Sequence, residues 1–185
     1  MENKNKKNKN VILALIIIIL LLVFSIGMYF VNNRDVINTS GIKLYYRVYT
    51  SDGWSKWYKN GQVAGRDNKN ITAIEAKIET DKEGHILYNT YSATNDFEDN
   101  DSYDGETAGD KKEGIYGIKF FLSDEVFKNY KIYYRTHNKK DGWMDYATGY
   151  NVSGDNEVEI DQIQIKVILK DDKLNESVDK PNIGF

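Results

Sequence analysis

The sequence predicts an all-β domain made of three similar units, preceded by one N-terminal transmembrane helix. Apolar residues alternate with polar ones in several segments, as half-buried strands require. Tyr, Trp, Gly and Ile recur in the same order about every 45 residues, a period typical of repeat architectures. The run from Val11 to Val31 carries no charge, and the remaining length of about 150 residues suits a single domain.

The apolar run from Val11 to Val31 is the predicted membrane anchor. An apolar helix of about 20 residues spans the hydrocarbon layer of a bilayer. Because lysines cluster in residues 1–10, the positive-inside rule predicts a cytoplasmic tail there and places everything after Val31 outside the cell. A cleaved signal peptide is the alternative, since Ser25 and Gly27 supply small residues for a cleavage site. The apolar stretch continues beyond them, which favours retention.

The composition excludes several classes of function. There is no cysteine, so an extracellular domain has neither disulfides nor thiolate metal ligands. The formal net charge is −3 and the lysines after residue 34 are scattered among acidic residues, which argues against a nucleic-acid partner. With two histidines and no outstanding carboxylate pair, the sequence argues against an enzyme, and it predicts no cofactor.

The predicted β domain occupies residues 42–170, between a polar linker at residues 32–41 and a polar tail at residues 171–185. Alternation begins at Ile42, and turn residues before Trp54 predict a second strand. A short helix is expected at residues 123–130. The last strand of each unit alternates most clearly and supplies the safest core residues, Ile74, Ile118 and Ile163.

The three units share a spaced set of residues. The first has Tyr46, Trp54, Gly61, Gly65, Ile71 and Ile74, and the third has Tyr134, Trp143, Gly149, Gly154, Ile160 and Ile163. The second is weaker, with Tyr88, Phe97, Gly105, Gly109, Ile115 and Ile118. The glycines are expected in turns. Since such units do not close a core alone, we expect a pseudo-threefold domain, either β-prism-like or β-trefoil-like.

The order of motifs in residues 42–169 resembles the clostridial hydrophobic repeat with a conserved tryptophan, the ChW repeat. The first unit carries Tyr-Arg-Val-Tyr, Gly-Trp-Ser-Lys-Trp, Gly-Gln-Val-Ala-Gly and Ile-Glu-Ala-Lys-Ile. The third unit matches well, whereas the second has lost its Gly-Trp pair. The resemblance implies a surface protein of a Gram-positive bacterium that binds carbohydrate, cell wall or other surface proteins, and it brings no catalytic residue.

The aromatic residues are the candidate ligand contacts. We expect Trp54, Phe97 and Trp143 to fill the core, because a repeated large ring usually fills the same volume in each unit; a sugar platform is the alternative role. Trp57 and Tyr146, three positions after the tryptophans, are then expected on the opposite strand face. They are the predicted ligand-binding residues, with Tyr103 and Tyr150 as additions.

The acidic segment at residues 95–106 is rich in the oxygen ligands that calcium binds. Aligning Gly105 with the glycine of an EF-hand places Lys111 where the bidentate Glu belongs, so the motif fails. We therefore predict no metal site. His137 occupies the position of Tyr49 and Tyr91 in the other units, which favours a side chain on the repeated face over a catalytic base.

Together these features predict a single-pass cell-membrane protein, with the bilayer as partner of Val11 to Val31. Its extracellular domain is expected to be a non-catalytic binding module for cell-wall or other glycans. The alternative is an envelope protein that binds or assembles with other proteins through the same aromatic strands.

Overall fold

A computed structural model describes residues 17–23, 41–94, 97, 101–174 and 176. The chain divides into two compact units, residues 1–35 and residues 36–185. In the first unit, residues 17–23 are helical. Among the described residues, no helix is both long enough and apolar enough to cross a bilayer. Most of the predicted anchor, the cytoplasmic tail and nearly all of the linker lie outside the described residues.

The second unit is an all-β domain, as predicted, with one short helix among its described residues at Asp124–Asn129. We call the three similar segments of the sequence copies, and the first contributes β1 Ile42–Thr50, β2 Gly53–Trp54, β3 Tyr58–Lys59, β4 Val63–Gly65 and β5 Ala73–Thr80. The second contributes β6 Ile86–Ser92, β7 Ser102–Tyr103 and β8 Ile115–Leu122. The third contributes β9 Tyr130–Asn138, β10 Gly142–Trp143, β11 Ala147–Thr148, β12 Ser153–Gly154 and β13 Ile160–Leu169.

Each copy is built on a pair of long antiparallel strands. β1 pairs with β5, β6 with β8 and β9 with β13. Short two-residue strands that follow each first long strand in the chain pair back onto it: β2 and β3 on β1, β7 on β6, and β10 and β11 on β9. This arrangement leaves the other edge of the last long strand open for a partner.

That open edge is filled by a different copy. β4 of the first copy pairs with β13 of the third, and β12 of the third pairs with β8 of the second. In the second copy Ala108 makes the corresponding bridge to Ile74 of the first. The partner residues Ile163, Ile118 and Ile74 are the same position of the repeat. Each copy therefore completes the sheet of another, and among the described strands the exchange runs from first to third, third to second and second to first.

Three buried tyrosines anchor the donated segments. Tyr46, Tyr88 and Tyr134 are fully buried in the common core, together with the predicted core residues Ile74, Ile118 and Ile163. The hydroxyl of Tyr46 donates to the carbonyl of Gln62, and that of Tyr88 to the carbonyl of Glu106. The Tyr134 hydroxyl donates to the carbonyls of Gly149 and Asn151. The recurring tyrosine thus fixes the loop that carries each exchanged segment.

The second glycine of each pair does more than allow a turn. Gly65, Gly109 and Gly154 all have positive φ, at 94°, 94° and 141°. A Cβ at Gly65 would collide with the backbone carbonyl of Asp161 in the third copy, and the other two meet equivalent carbonyls of the copies they join. Glycine recurs here because the donated segment lies directly against another strand's backbone.

Candidate functional site

An arginine stacked between two aromatic rings marks the outer face of the first copy. The guanidinium carbon of Arg47 lies 4.5 Å from the ring centroid of Trp54 and 4.6 Å from that of Trp57. The ammonium of Lys77 lies 4.8 Å from the Trp57 ring. We call this group, Trp54, Arg47, Trp57 and Lys77, the first ladder. Its position follows from the alternation of β1, which directs Tyr46 and Val48 into the core and Arg47 outward.

A buried carboxylate fixes the arginine of the first ladder. Arg47 Nε donates to Glu75 Oε2 at 2.6 Å, and the other Glu75 oxygen accepts from the Thr107 hydroxyl at 2.8 Å. The Glu75 side chain is only 9% exposed, so these two partners, rather than water, form the hydrogen bonds of its carboxylate. Because Thr107 belongs to the second copy, the ladder lies at a junction between copies.

The third copy carries the same arrangement, which we call the second ladder: Trp143, Arg135, Tyr146 and Lys166. The guanidinium carbon of Arg135 lies 4.7 Å from the Trp143 ring and 4.6 Å from the Tyr146 ring. Gln164 takes the place of Glu75: its Oε1 accepts from Arg135 Nε at 2.9 Å and its Nε2 donates to the Gly61 carbonyl at 2.6 Å. This ladder joins the third copy to the first.

Tyr146 is held more firmly than Trp57. Its hydroxyl lies 2.6 Å from Gln164 Oε1 and 3.0 Å from Glu176 Oε2. Burial raises the pKa of Tyr146, so the ring stays neutral at any physiological pH. Lys166 forms an ion pair with Glu176. Although burial alone acts in the opposite direction, Lys166 holds the pKa of Glu176 below its usual value.

The second copy has lost its ladder. By strand register, Asn89 replaces the arginine, and Asp101 stands where Trp57 and Tyr146 stand. Asn89 Nδ2 lies 3.3 Å from Asp101 Oδ1. Phe97 keeps the tryptophan's position, 5.6 Å from the Tyr91 ring.

Tyr103 and Tyr150 lie apart from both ladders. Tyr103 corresponds in register to Lys59 and is 49% exposed, with its ring 5.7 Å from that of His85. Tyr150 is 74% exposed and its ring lies 4.6 Å from that of Phe121. The structure therefore does not bring these two residues together with Trp57 or Tyr146 in one ladder.

Two expectations about the aromatic residues need correction. Trp54, Phe97 and Trp143 were expected in the core, but each is half-buried and none belongs to the core cluster. Trp57 and Tyr146 were expected on the opposite face from the tryptophans, but each shares an arginine with its tryptophan. The reason is local: residues 55–57 and 144–146 form no strand, so two-residue alternation does not continue through them.

A second group of side chains was not predicted as a site. Asp67, His137 and Asp161 place their potential ligand atoms within 4.8 Å of one another. His137 Nδ1 lies 2.6 Å from Asp161 Oδ1. The sequence signal was the histidine at a position where the other copies have tyrosine, but the carboxylates are distant in the chain and only the strand exchange brings Asp67 to the third copy.

No protein-family model matches this chain, and it has no match among curated proteins or solved structures. The ChW resemblance accordingly stays a prediction.

Proposed function

We propose that this chain is a membrane-anchored, non-catalytic module that lies outside the cell and binds cell-wall or other glycans. The observation that carries the proposal is the pair of ladders, in which Trp57 and Tyr146 occupy the same place on two outer faces. A flat ring fixed beside buried hydrogen-bonding groups suits the apolar face and hydroxyl rim of a sugar.

Trp57 is the better platform of the two. Arg47 is fixed by Glu75, whereas Lys77 makes no ion pair with any described residue, and its ammonium lies 4.8 Å from the Trp57 ring centroid and 5.9 Å from that of Tyr45. A sugar reaches Trp57 by displacing this flexible ammonium, at a cost of about 0.5–1 kcal/mol. Tyr146 is covered by a lysine that is itself buried and paired. We therefore assign the primary site to the first ladder and a weaker one to the second.

The same proposal includes the architecture and the anchor. Three separate hydrogen-bonded sheets, completed by exchange, support a pseudo-threefold, β-prism-like domain over a β-trefoil. The uncharged run from Val11 to Val31 supports a single-pass anchor with residues 1–10 in the cytoplasm. A ChW-type surface protein with a middle copy that lacks the ladder fits these features.

Binding of an envelope protein is the second candidate function. The ladders are built from Trp, Tyr and Arg, the residues that dominate binding energy at protein interfaces. Tyr150 adds a large exposed ring beside Phe121.

Binding of the full chain, purified in detergent, to purified peptidoglycan and to a glycan array tests the proposal. We expect saturable binding with quenching of tryptophan fluorescence, and at least a tenfold loss of affinity in Trp57→Ala. Phe127→Ala is the matched control, because Phe127 is an exposed ring on the short helix rather than on a sheet face. Unchanged glycan binding in Trp57→Ala would reject the site, and a defined envelope partner with no glycan binding would favour the second function.

A further inference from the structure

We propose that Asp67, His137 and Asp161 form a binding site for a divalent transition-metal ion, with zinc as the preferred ion, at the junction of the first and third copies. None of the three proposed ligands belongs to a ladder, although Trp143 of the second ladder packs against His137. The proposal does not depend on the proposed glycan function.

The donor set and its spacing suit zinc. Zinc binds imidazole nitrogen and carboxylate oxygen at about 2.0–2.2 Å, so its ligand atoms lie about 3–3.5 Å apart. The three ligand atoms here lie within 4.8 Å of one another. His137 Nδ1 and Asp161 Oδ1 lie 2.6 Å apart in a hydrogen bond. When zinc binds Nδ1 it takes the place of the hydrogen bond, the two atoms move apart by under about 1 Å, and the bound imidazole is the neutral tautomer with its proton on Nε2.

The charges at the junction call for a cation. The Asp161 side chain is only 3% exposed, and a buried carboxylate needs a paired charge or a metal ion. Among the described residues, neither Asp161 nor Asp67 forms an ion pair with a lysine or an arginine. Two carboxylates therefore face a single imidazole, and a divalent ion balances them.

The surrounding groups hold the ligands in place. The backbone N–H of Asn68 donates to Asp161 Oδ2 at 2.9 Å, and Gln162 Nε2 donates to Asp67. The Trp143 ring packs edge-on against His137, with centroids 5.4 Å apart. Such supporting contacts orient metal ligands before the ion arrives.

The other copies show that the fold does not require these three residues. In the corresponding positions the junction of the second and first copies has Lys111, Tyr49 and Thr72, and the Lys111 ammonium lies 5.7 Å from the Tyr49 ring. The remaining junction has Asn156, Tyr91 and Tyr116. The same backbone scaffold thus carries a possible ligand set at one junction alone among the described residues, the one where the chain's first and last copies meet.

The imidazole of His137 favours zinc over calcium or magnesium as the bound ion. Calcium and magnesium take six or more oxygen ligands, whereas this group offers two carboxylates and a nitrogen, which favours zinc or a similar borderline ion. Three protein ligands leave a fourth position for water. The ion would join Asp67 of the first copy to two residues of the third and so fasten the exchange in a chain that has no disulfide.

Zinc titration of the chelator-treated full chain by calorimetry, with thermal melting alongside, tests the site. We expect one zinc ion per chain with micromolar or tighter affinity and a higher melting temperature. His137→Tyr should lower the affinity at least tenfold while keeping a ring against Trp143, and Asp67→Asn should do the same at an exposed position. His85→Tyr is the matched control, because His85 Nδ1 lies 2.5 Å from Asp104 Oδ2 and the part of the chain that the structure describes supplies no third ligand to this pair.

Zinc binding that His137→Tyr and Asp67→Asn abolish while His85→Tyr retains it would establish the site. Binding only at millimolar zinc, or equal binding by the wild type and His137→Tyr, would overturn it. A circular dichroism spectrum of each variant shows whether a loss reflects the ligand or the fold. Glycan binding by the zinc-free chain separates this result from the proposed function.

Discussion

Ala64 of the first copy pairs in register with Ile163 of the third. The neighbouring contact between Gln164 and Gly61 joins residues 103 positions apart. The first copy is therefore not an independently folded unit, because its strand β4 belongs to the sheet of the third copy.

The close approach at Gly65 predicts a large effect of adding a methyl group there. Gly65→Ala should destabilise the domain by about 2–5 kcal/mol, since a positive φ costs an L-residue about 1–2 kcal/mol and the methyl group also meets the Asp161 carbonyl. Gly53→Ala is the control, because Gly53 has nearly the same φ, 91°, with open space around it. Urea denaturation measures both, and equal losses would mean that the strand contact at Gly65 contributes nothing.

The Asn60 side chain should contribute measurably to the stability of the junction between the first and third copies. Its amide donates to the Val167 carbonyl and accepts from the Val167 N–H, each at 2.8 Å, in buried surroundings. Asn60→Ala should cost about 1–3 kcal/mol because it removes both hydrogen bonds from a strand that water does not reach. Asn70→Ala, at an exposed position, should change the free energy of unfolding by less than about 0.5 kcal/mol. Chemical denaturation distinguishes the two, and a neutral Asn60→Ala would contradict the prediction.

The buried tyrosines predict a loss of stability at high pH. Burial raises the pKa of Tyr134 to about 12 and also raises the pKa of Tyr46, Tyr88 and Tyr146. Above pH about 10 the unfolded chain loses tyrosine protons that the folded chain keeps, so the contribution of these tyrosines to stability is constant below that pH and falls between pH 10 and about 12. At about 1.4 kcal/mol per pH unit for each group, the four give a slope of at most about 6 kcal/mol per pH unit.

Unfolding in urea from about pH 8 to about pH 11 measures this slope. Tyr134→Phe should reduce the slope by about a quarter, although it also lowers the stability at neutral pH because it loses the bond to the Gly149 carbonyl. Tyr103→Phe, at an exposed position, should leave the slope unchanged. Stability that stays flat above pH about 10 would show that the hydroxyls reach solvent.

Two substitutions of Arg47 separate the contribution of its charge to stability from that of its planar shape. Arg47→Ala leaves Glu75 buried without its cation and should cost about 2–4 kcal/mol. Arg47→Lys keeps the charge but not the planar group that lies between Trp54 and Trp57, so it should cost about 1 kcal/mol. Tryptophan fluorescence and urea denaturation of both variants measure the effect. If the lysine variant behaves as the wild type, the stacking carries no energy.

The alternation of apolar and polar residues predicted the long strands correctly, because one face of each long strand packs against the common core. Ile74, Ile118 and Ile163 are buried as expected, because the apolar side chains at every second position of these strands pack into the common core. The short helix at Asp124–Asn129 was expected too, but Ser123 does not cap it with its side chain. The Ser123 hydroxyl accepts instead from the His85 N–H at 2.9 Å.

The pattern failed where the chain leaves the strands or joins another copy. Trp57 and Tyr146 are the last residues of irregular segments, so counting by twos placed them on the wrong face. The recurring Arg47 and Arg135 were visible in the sequence, but their role depends on rings that come later in the chain and that only the short strands bring back beside them. Asp67 comes near His137 only because β4 leaves its own copy, and no local signal announces that exchange.

The strand exchange also bears on the order in which the domain is made. During synthesis β4 emerges early, but its partner β13 is the last of the described strands to appear. Until β13 appears, β4 has no strand to pair with. Contacts between segments so far apart in the sequence form slowly. A chain truncated before Ile160 would have most of its strands but would lack β13, the strand that joins β4 to β9. We expect proteases to degrade such a chain rapidly.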